Sequence, residues 1–361
     1  MIKQWADRWL AILEITDSGD FHDVVSVTEI MRRIGRESSE ADTLIVTFVH
    51  GWNHNASDGD DNLVQFEALL AQLAQLEARD RGEKARKVIG VYIGWRGSSI
   101  GSTPLWIPTF WSRKAVAEDI GHSAVTVFAT LNEIWTEASK LCREGGKRSD
   151  TRMLTIGHSF GGLIASRAVL PLLSKGVAEA RGDGKKFRGF GDLVVLINPA
   201  IEASAFLGLR SLLREYPSTR TKYPNLLVIT SDADWATRYA FPAGRLFTVW
   251  DRSVPAWNDW RLMLETIGHI DEFRTHDLSA RPIGPRSNKA RSPLLVDRTS
   301  KTEWLGKEYR YSDTPFWLVR TDKSVVRHHS DFSETLRGFV GALFSNIASG
   351  AAAAPSPCIS E

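Results

Sequence analysis

Short runs of apolar residues, many of them β-branched, recur along the chain with few polar interruptions. These runs are WLAILEI (9–15), TLIVTFV (43–49), KVIGVYIG (87–94), RMLTI (152–156), DLVVLIN (192–198), NLLVIT (225–230) and PFWLVR (315–320). Several are almost continuously apolar, which is typical of strands that are buried on both faces of a parallel sheet. The pattern therefore predicts a strand at each of these runs.

Longer segments between the runs have the spacing of amphipathic helices. Residues 61–80 carry apolar side chains three and four positions apart, and acidic residues lie at the start, where the helix dipole favours them. Residues 113–142 and 161–176 predict two more helices, with Gly121 as a candidate break in the first. This alternation favours an open, doubly wound α/β fold with a mostly parallel sheet.

The alternation stops at residues 235–313, which are rich in proline, arginine and aromatic residues and show no clear strand pattern. This range predicts a cap-like insertion before the last strand. Residues 349–361 are of low complexity and predict a disordered tail. Residues 1–348 are expected to form one domain that includes the insertion.

The segment GHSFG at 157–161 carries the strongest chemical signal. It has the G-x-S-x-G spacing of a nucleophile elbow, in which a serine lies on a strained turn between a strand and a helix. A predicted strand ends just before Ser159, and a predicted helix begins just after it. Gly157 and Gly161 leave room for the strand and the helix to approach each other. Ser159 is therefore a candidate nucleophile, and the alternative is a plain glycine-rich turn.

Two segments, FVHGW (48–52) and GHSFGG (157–162), follow each other in the order of an oxyanion loop and a nucleophile elbow. In this the chain resembles the α/β-hydrolase superfamily, and in particular bacterial serine esterases and lipases. The resemblance implies a sheet of the α/β-hydrolase type. It also implies an oxyanion hole formed by the backbone N–H groups of Trp52 and Phe160, with His50 bracing the loop.

In this superfamily the base is a histidine in a loop after the last strand. The segment DKSVVRHHSDF follows the last predicted strand and resembles the C-terminal histidine segment of bacterial α/β-hydrolases, which places the base at His329. His328 remains an alternative, because adjacent side chains point in different directions. His269 and His276 lie in the insertion and are expected to be structural or to line the substrate site.

The resemblance places the acid after the strand that precedes the insertion. The segment NLLVITSDADW offers Asp232 and Asp234, and the pattern of the superfamily favours Asp234. A carboxylate at this point would hold the imidazole in the correct tautomer and stabilise the imidazolium. Glu202, after an earlier strand, is a more distant alternative.

Aromatic residues after the strand at 87–94 are candidates for the substrate pocket. Trp106, Phe110 and Trp111 belong to the segment STPLWIPTFW, on the edge of the sheet where α/β proteins bind ligands. Apolar aromatic walls suit a hydrophobic ester. The alternative is that these residues, like the aromatic residues of the insertion, pack an irregular cap against the core.

Other polar segments are expected to be structural. Residues 53–62 lack the spacing of a calcium loop, and Ser57 or Asp58 is expected to cap the following helix. Asp331 with Glu334 resembles a capping box before the C-terminal helix. No metal ion and no cofactor are expected.

The bulk composition sets limits on location and partners. Lys and Arg number 45 against 43 Asp and Glu, a net charge of +2 that does not favour a nucleic-acid partner. Cys142 and Cys358 are too few for a disulfide framework. The N-terminus does not have the pattern of a signal peptide, and no long apolar run predicts a transmembrane segment. A cytoplasmic location is expected.

These signals together predict a serine hydrolase that cleaves carboxylic esters, with lipid acyl esters among the candidate substrates. Its partner would be a small-molecule or lipid ester. Cleavage of amides or thioesters, or acyl transfer at the same site, is the nearest alternative, since a fold does not determine a substrate. A further alternative is a binding protein of the same fold without catalytic activity.

Overall fold

The computed structural model describes most of the chain, and this account is restricted to that part. The described residues are 1–97, 106–143, 146–183, 187, 189–215, 223–246, 260–282, 291–298, 303–304 and 314–350. The predicted tail at 349–361 lies almost wholly outside them.

An 11-stranded mixed sheet runs through the protein. The strands are β1 (Ile2–Gln4), β2 (Arg8–Ile15), β3 (Thr43–Val49), β4 (Lys87–Trp95), β5 (Cys142–Arg143), β6 (Lys147–Arg148), β7 (Arg152–His158), β8 (Leu193–Ile197), β9 (Leu226–Ser231), β10 (His276–Pro282), β11 (Arg291–Asp297), β12 (Glu303–Trp304) and β13 (Phe316–Thr321). The order in the sheet is β1-β2-β4-β3-β7-β8-β9-β13-β10-β11-β12, and β5 and β6 form a separate short hairpin.

The strands from β2 to β10 in this order are all parallel to their neighbours. Within this sheet, the antiparallel pairs of the described strands lie at the two edges, where β1 pairs with β2, and β11 pairs with β10 and β12. The carboxyl ends of parallel strands lie along the same edge of the sheet. The loops after β3, β7, β9 and β13 therefore meet at this edge, where α/β proteins place their ligand sites.

Helices cover both faces of the sheet. They are α1 (Val24–Glu40), α2 (Asp61–Arg81), α3 (Trp106–Lys140), α4 (Phe160–Asp183), α5 (Leu207–Glu215), α6 (Phe241–Arg245), α7 (Trp260–Leu264) and α8 (Glu334–Gly350). Alternate residues of β3 enter two cores: Ile45 packs in the core with α1, α3 and α4, whereas Phe48 packs in the core with α2 and α8. The predicted doubly wound arrangement with a mostly parallel sheet is therefore confirmed.

The predicted strands all form, most within one or two residues of the expected ends. Helix α3 begins earlier than predicted and is not broken at Gly121. A Cβ atom at Gly121 would lie 2.9 Å from Cγ of Arg167 on α4. The glycine therefore lets the two helices pack closely and does not end the helix.

The expectation that residues 235–313 lack strands was wrong, because β10, β11 and β12 extend the sheet there. Strand β10, with the sequence HDLSARP, pairs with β13 in parallel, and β11 pairs with β10 in antiparallel. Polar residues and proline interrupt the apolar pattern of these strands, as is common near the edge of a sheet.

Two predicted helix caps are also corrected. Helix α2 is capped by Asp60, whose side chain accepts from the backbone N–H of Asn62, and not by Ser57 or Asp58. The hydroxyl of Ser333 accepts from the backbone N–H of Leu336 in the first turn of α8. Asp331 instead binds Arg327, so the expected capping box with Glu334 does not form.

One described helical segment, Phe160–Ala180 of α4, is long and apolar enough to cross a membrane by length and composition alone, and 67% of its most apolar window is buried inside the protein. Its apolar side chains, including Leu163 and Ile164, pack in the core between α3 and the sheet. A helix in the core of a globular fold has the same properties.

Candidate active site

Ser159 lies on the turn between β7 and α4, with its side chain almost fully buried. Its φ angle is 55°, in the left-handed region that non-glycine residues rarely adopt. The backbone around it is held on both sides: its N–H donates to the carbonyl of Ile197 at 2.9 Å, and its carbonyl accepts from the N–H of Ala200 at 3.2 Å. The strained turn expected of a nucleophile elbow is therefore present at this serine.

Two glycines, one in the first turn of α4 and one in the loop after β3, allow this turn to form. A Cβ atom at Gly161 would collide with the carbonyl oxygens of Val49 and His50 at the end of β3. A Cβ atom at Gly51 would lie 2.8 Å from the Cβ atom of Ser159. The loop after β3 therefore packs directly against the serine. A side chain at Gly51 would prevent this close approach.

Three side chains from three different loops form one chain of hydrogen bonds. Oγ of Ser159 lies 2.6 Å from Nε2 of His329, and Nδ1 of His329 lies 2.9 Å from each carboxylate oxygen of Asp234. Asp234 follows β9 and His329 follows β13, which are adjacent parallel strands. The predicted nucleophile, acid and base are therefore brought together in the order that a serine nucleophile requires.

Asp234 is fully buried and receives several hydrogen bonds. Its Oδ1 accepts from the N–H of Ala236 at 2.9 Å, and its Oδ2 accepts from the hydroxyl of Thr237 at 2.5 Å. Burial by itself would raise the pKa of Asp234, but the charge and hydrogen bond of His329 and the hydroxyl of Thr237 outweigh it and hold this pKa below its usual value. The carboxylate therefore stays ionised beside the imidazole.

Thr237 and His269 extend this network; Thr237 was not predicted, and His269 was expected only to be structural or to line the substrate site. Nε2 of His269 lies 3.1 Å from Oγ1 of Thr237. Because the hydroxyl donates its proton to Asp234, it accepts from the imidazole N–H of His269. Burial lowers the pKa of His269 to about 4, so this imidazole is neutral near pH 7. His269, in the insertion, is thus linked to Asp234 through the hydroxyl of Thr237.

The alternative acids are bound elsewhere. Asp232 pairs with Arg320 at 2.9 Å and with Arg238 at 3.2 Å. Glu202 pairs with Lys114 at 2.9 Å and is also paired with an arginine of α6. Among the described residues, no hydrogen bond or ion pair joins either carboxylate to the imidazole of His329, which contacts Asp234 instead.

The alternative base is placed differently from His329. The side chain of His328 is exposed, and its backbone carbonyl accepts from the N–H of Asp331 at 3.1 Å. Only His329 of this pair lies within hydrogen-bonding distance of the serine hydroxyl.

The loop after β3 is braced by His50. Its Nδ1 donates to the carbonyl of Gly51, and its Nε2 accepts from the backbone N–H of Trp95 at 2.9 Å. The indole N–H of Trp95 in turn donates to the carbonyl of His50 at 2.9 Å. Burial lowers the pKa of His50 to about 4, which keeps one ring nitrogen as an acceptor. The bracing role expected for His50 is thus present.

The two residues expected to form the oxyanion hole lie on the two segments that meet at Ser159. Phe160 is the first residue of α4, directly after Ser159, and Trp52 follows Gly51 in the loop that contacts the serine. The end of this loop is fixed by Asp60, whose carboxylate lies 3.2 Å from Nδ1 of His54. Both candidate donors therefore belong to segments with a defined position relative to Ser159.

The candidate substrate residues are only partly described. Trp106, Phe110 and Trp111 lie in the first turns of α3, and their side chains are outside the described residues. In the described part of the chain, no group of three or more His, Cys, Asp or Glu side chains is arranged to hold a metal ion.

Compared with known proteins, the sequence matches no protein-family model. No curated protein is significantly similar to it.

Proposed function

We propose that this protein is a serine hydrolase that cleaves carboxylic esters, with Ser159 as nucleophile, His329 as base and Asp234 as acid. The observation that carries the proposal is the continuous chain of hydrogen bonds from the serine hydroxyl to the buried carboxylate, at 2.6 Å and 2.9 Å. A serine hydroxyl is a weak nucleophile at neutral pH, and an adjacent base that a third group orients is the usual means of activating it.

The reaction would proceed in two steps. Oγ of Ser159 attacks the carbonyl carbon of the ester while its proton moves to Nε2 of His329. The imidazolium then gives this proton to the departing alcohol, which leaves an acyl group on the serine. A water molecule then gives a proton to the same imidazole as it attacks the acyl carbon. The imidazolium returns this proton to Oγ of Ser159, and the carboxylic acid is released.

Asp234 would keep the imidazole in the reactive tautomer. Its carboxylate accepts a hydrogen bond from the N–H at Nδ1 of His329, so Nε2 carries the lone pair that faces the serine. The same carboxylate stabilises the positive charge that the imidazole gains during attack. The low pKa of the acid supports this role, because a protonated carboxyl group could not provide that stabilisation.

The negative charge that develops on the carbonyl oxygen needs preorganised donors. The backbone N–H groups of Phe160 and Trp52 are the candidates. The N-terminus of α4 adds a favourable dipole at this point, since the positive end of a helix stabilises an anion.

Labelling with a fluorophosphonate probe tests the nucleophile directly. The wild-type protein should be labelled and should hydrolyse an activated ester such as a p-nitrophenyl ester, whereas Ser159→Ala should do neither. Ser166→Ala is a matched control, because it removes a buried hydroxyl from α4 that donates to the carbonyl of Leu163 within the same helix. Undiminished labelling of Ser159→Ala would disprove the proposal.

A substrate panel then distinguishes among reactions at this site. Matched esters, amides and thioesters, each assayed with and without an alcohol as acyl acceptor, separate ester hydrolysis from the alternatives. Esters of graded chain length test the preference for lipid acyl groups. Absence of both labelling and turnover in the folded wild-type protein would favour a binding protein of this fold.

A further inference from the structure

The backbone carbonyl of His329 is held by two side chains from other parts of the sheet. Nε2 of His158 lies 2.8 Å from this carbonyl oxygen, and Nδ2 of Asn198 donates to it at 3.1 Å. His158 is the last residue of β7, immediately before Ser159, and Asn198 follows directly after β8. The residue next to the nucleophile thus binds the main chain of the base.

The protonation of His158 follows from its partners. Burial lowers its pKa to about 3, so the imidazole is neutral and carries one N–H. A carbonyl oxygen only accepts, so that proton lies on Nε2 and points to His329. Nδ1 must then accept, and the amide oxygen Oδ1 of Asn62 lies 3.1 Å from it. The amide nitrogen of Asn62 is buried with no hydrogen-bond partner among the described residues, and exchanging the two amide atoms would turn this nitrogen toward Nδ1 as a donor.

Asn198 is fixed just as firmly. It is fully buried and has a φ angle of 43°, a conformation that asparagine tolerates better than most residues. Its backbone N–H donates to Ile229 at 2.8 Å, and its Oδ1 accepts from the backbone N–H of Ser231 at 2.9 Å. Its amide nitrogen is therefore left to point at the carbonyl of His329.

We propose that His158 and Asn198 are positioning residues that set the main chain of His329, so that its imidazole reaches Ser159 and Asp234 at the same time. The loop after β13 has no regular secondary structure between Asp322 and the start of α8. The hydrogen bonds from His158 and Asn198, which lie at the ends of β7 and β8, would therefore fix the position of the His329 main chain. This inference rests on the proposed serine chemistry, in which an error of about 1 Å can cost on the order of 10² in rate.

Substitutions of His158 test this role. His158→Leu removes the donor with little change in volume, and His158→Gln supplies an amide N–H that can take the place of Nε2. We expect His158→Leu to lower kcat by roughly 10- to 100-fold with little change in KM, and His158→Gln to recover most of that loss. Endpoint labelling by the fluorophosphonate probe counts the competent sites, so rates are compared per labelled protein.

Asn198→Asp provides a second test if His158→Leu does not fold. The aspartate keeps an oxygen for the N–H of Ser231 but presents an acceptor, in place of a donor, to the carbonyl of His329. We expect a similar loss of kcat, with Tm and circular dichroism reporting the fold. Wild-type kcat in every folded variant that lacks one of these donors would overturn the proposal while leaving Ser159 as nucleophile.

A measurement without substrate separates this inference from the proposed function. The proton between His329 and Asp234 should give a low-field resonance in the proton NMR spectrum of the wild-type protein. We expect His158→Leu to broaden or shift this resonance, and His158→Gln to restore it. An unchanged resonance in His158→Leu would overturn the positioning role, even in a protein that hydrolyses no ester.

Discussion

The hydroxyl of Thr237 donates a 2.5 Å hydrogen bond to Oδ2 of Asp234, the same carboxylate that accepts from the imidazole of His329. Hydrogen bonds to a charged group contribute about 1.5–3 kcal/mol. We therefore expect Thr237→Val to lower kcat about 10-fold or more on an activated ester, and Thr237→Ser to stay near wild type because it keeps the hydroxyl. Steady-state kinetics on both folded variants checks this. Equal rates for the two variants would show that the hydroxyl does not act on the acid.

Asp234→Asn should be among the most damaging substitutions, since an amide would stabilise the wrong tautomer of His329. In a well-studied serine protease the equivalent change lowers kcat about 10⁴-fold. Asp232→Asn is the matched control, because Asp232 is exposed and binds only arginines among its described side-chain partners. Its kcat should remain within a small factor of wild type. A crippled Asp232→Asn beside an active Asp234→Asn would move the acid two residues upstream.

The adjacent histidines give a comparison within one loop. His329→Ala should abolish turnover, as loss of the base in another serine hydrolase lowers kcat on the order of 10⁶-fold. His328→Ala should reduce kcat only modestly, because its side chain is exposed and does not contact Ser159. The measurement is kcat on one ester for both variants. The reverse order of effects would contradict the assigned base.

Stability should fall in mild acid because several buried histidines are neutral in the folded protein. Burial lowers the pKa of His50 and His269 to about 4 and that of His158 to about 3, against an ordinary value of 6.5. Below pH 6.5 the unfolded chain binds protons at these imidazoles that the folded protein does not bind. The free energy of unfolding therefore decreases as the pH falls from 6.5 toward the folded-state pKa values. Each histidine accounts for about 1.4 kcal/mol per pH unit.

Urea unfolding between pH 7 and pH 5 measures this effect. His269→Gln should flatten the fall in the free energy of unfolding over this range, because one titrating group is gone. His22→Gln, which removes an exposed histidine, is the control. An equally steep fall in His269→Gln would show that this imidazole is not what makes the protein acid-sensitive.

Much of the central sheet could be predicted from the sequence, because strands buried on both faces leave continuous apolar runs. Ser159, Asp234 and His329 could be named because each follows such a run and their order along the chain fits a known arrangement. That they lie within hydrogen-bonding distance agrees with the prediction, whereas their catalytic roles remain predictions until the variants are measured.

The supporting residues could not be predicted in the same way. Thr237, His269 and Asn198 belong to no motif, and His158 occupies a variable position of the GHSFG segment. The contacts of all four exist only in the folded chain. Strand β10 was missed for a related reason, since its sequence alternates polar and apolar residues too weakly to be distinguished from a loop. The pattern of apolar and polar residues along a segment predicts which side chains are buried. It does not predict which polar groups from distant segments will contact each other.

The hydrogen bond between Ser159 and His329 joins residues 170 positions apart, and the bond between His329 and Asp234 spans 95 positions. Closing such long loops has an entropic cost and slows folding, because distant contacts form only after much of the chain is ordered. A partly folded chain whose C-terminal segment has not yet docked would contain most of its helices but no complete triad. Enzyme activity should therefore return later than the far-ultraviolet circular dichroism signal during refolding, and so report the last step of assembly.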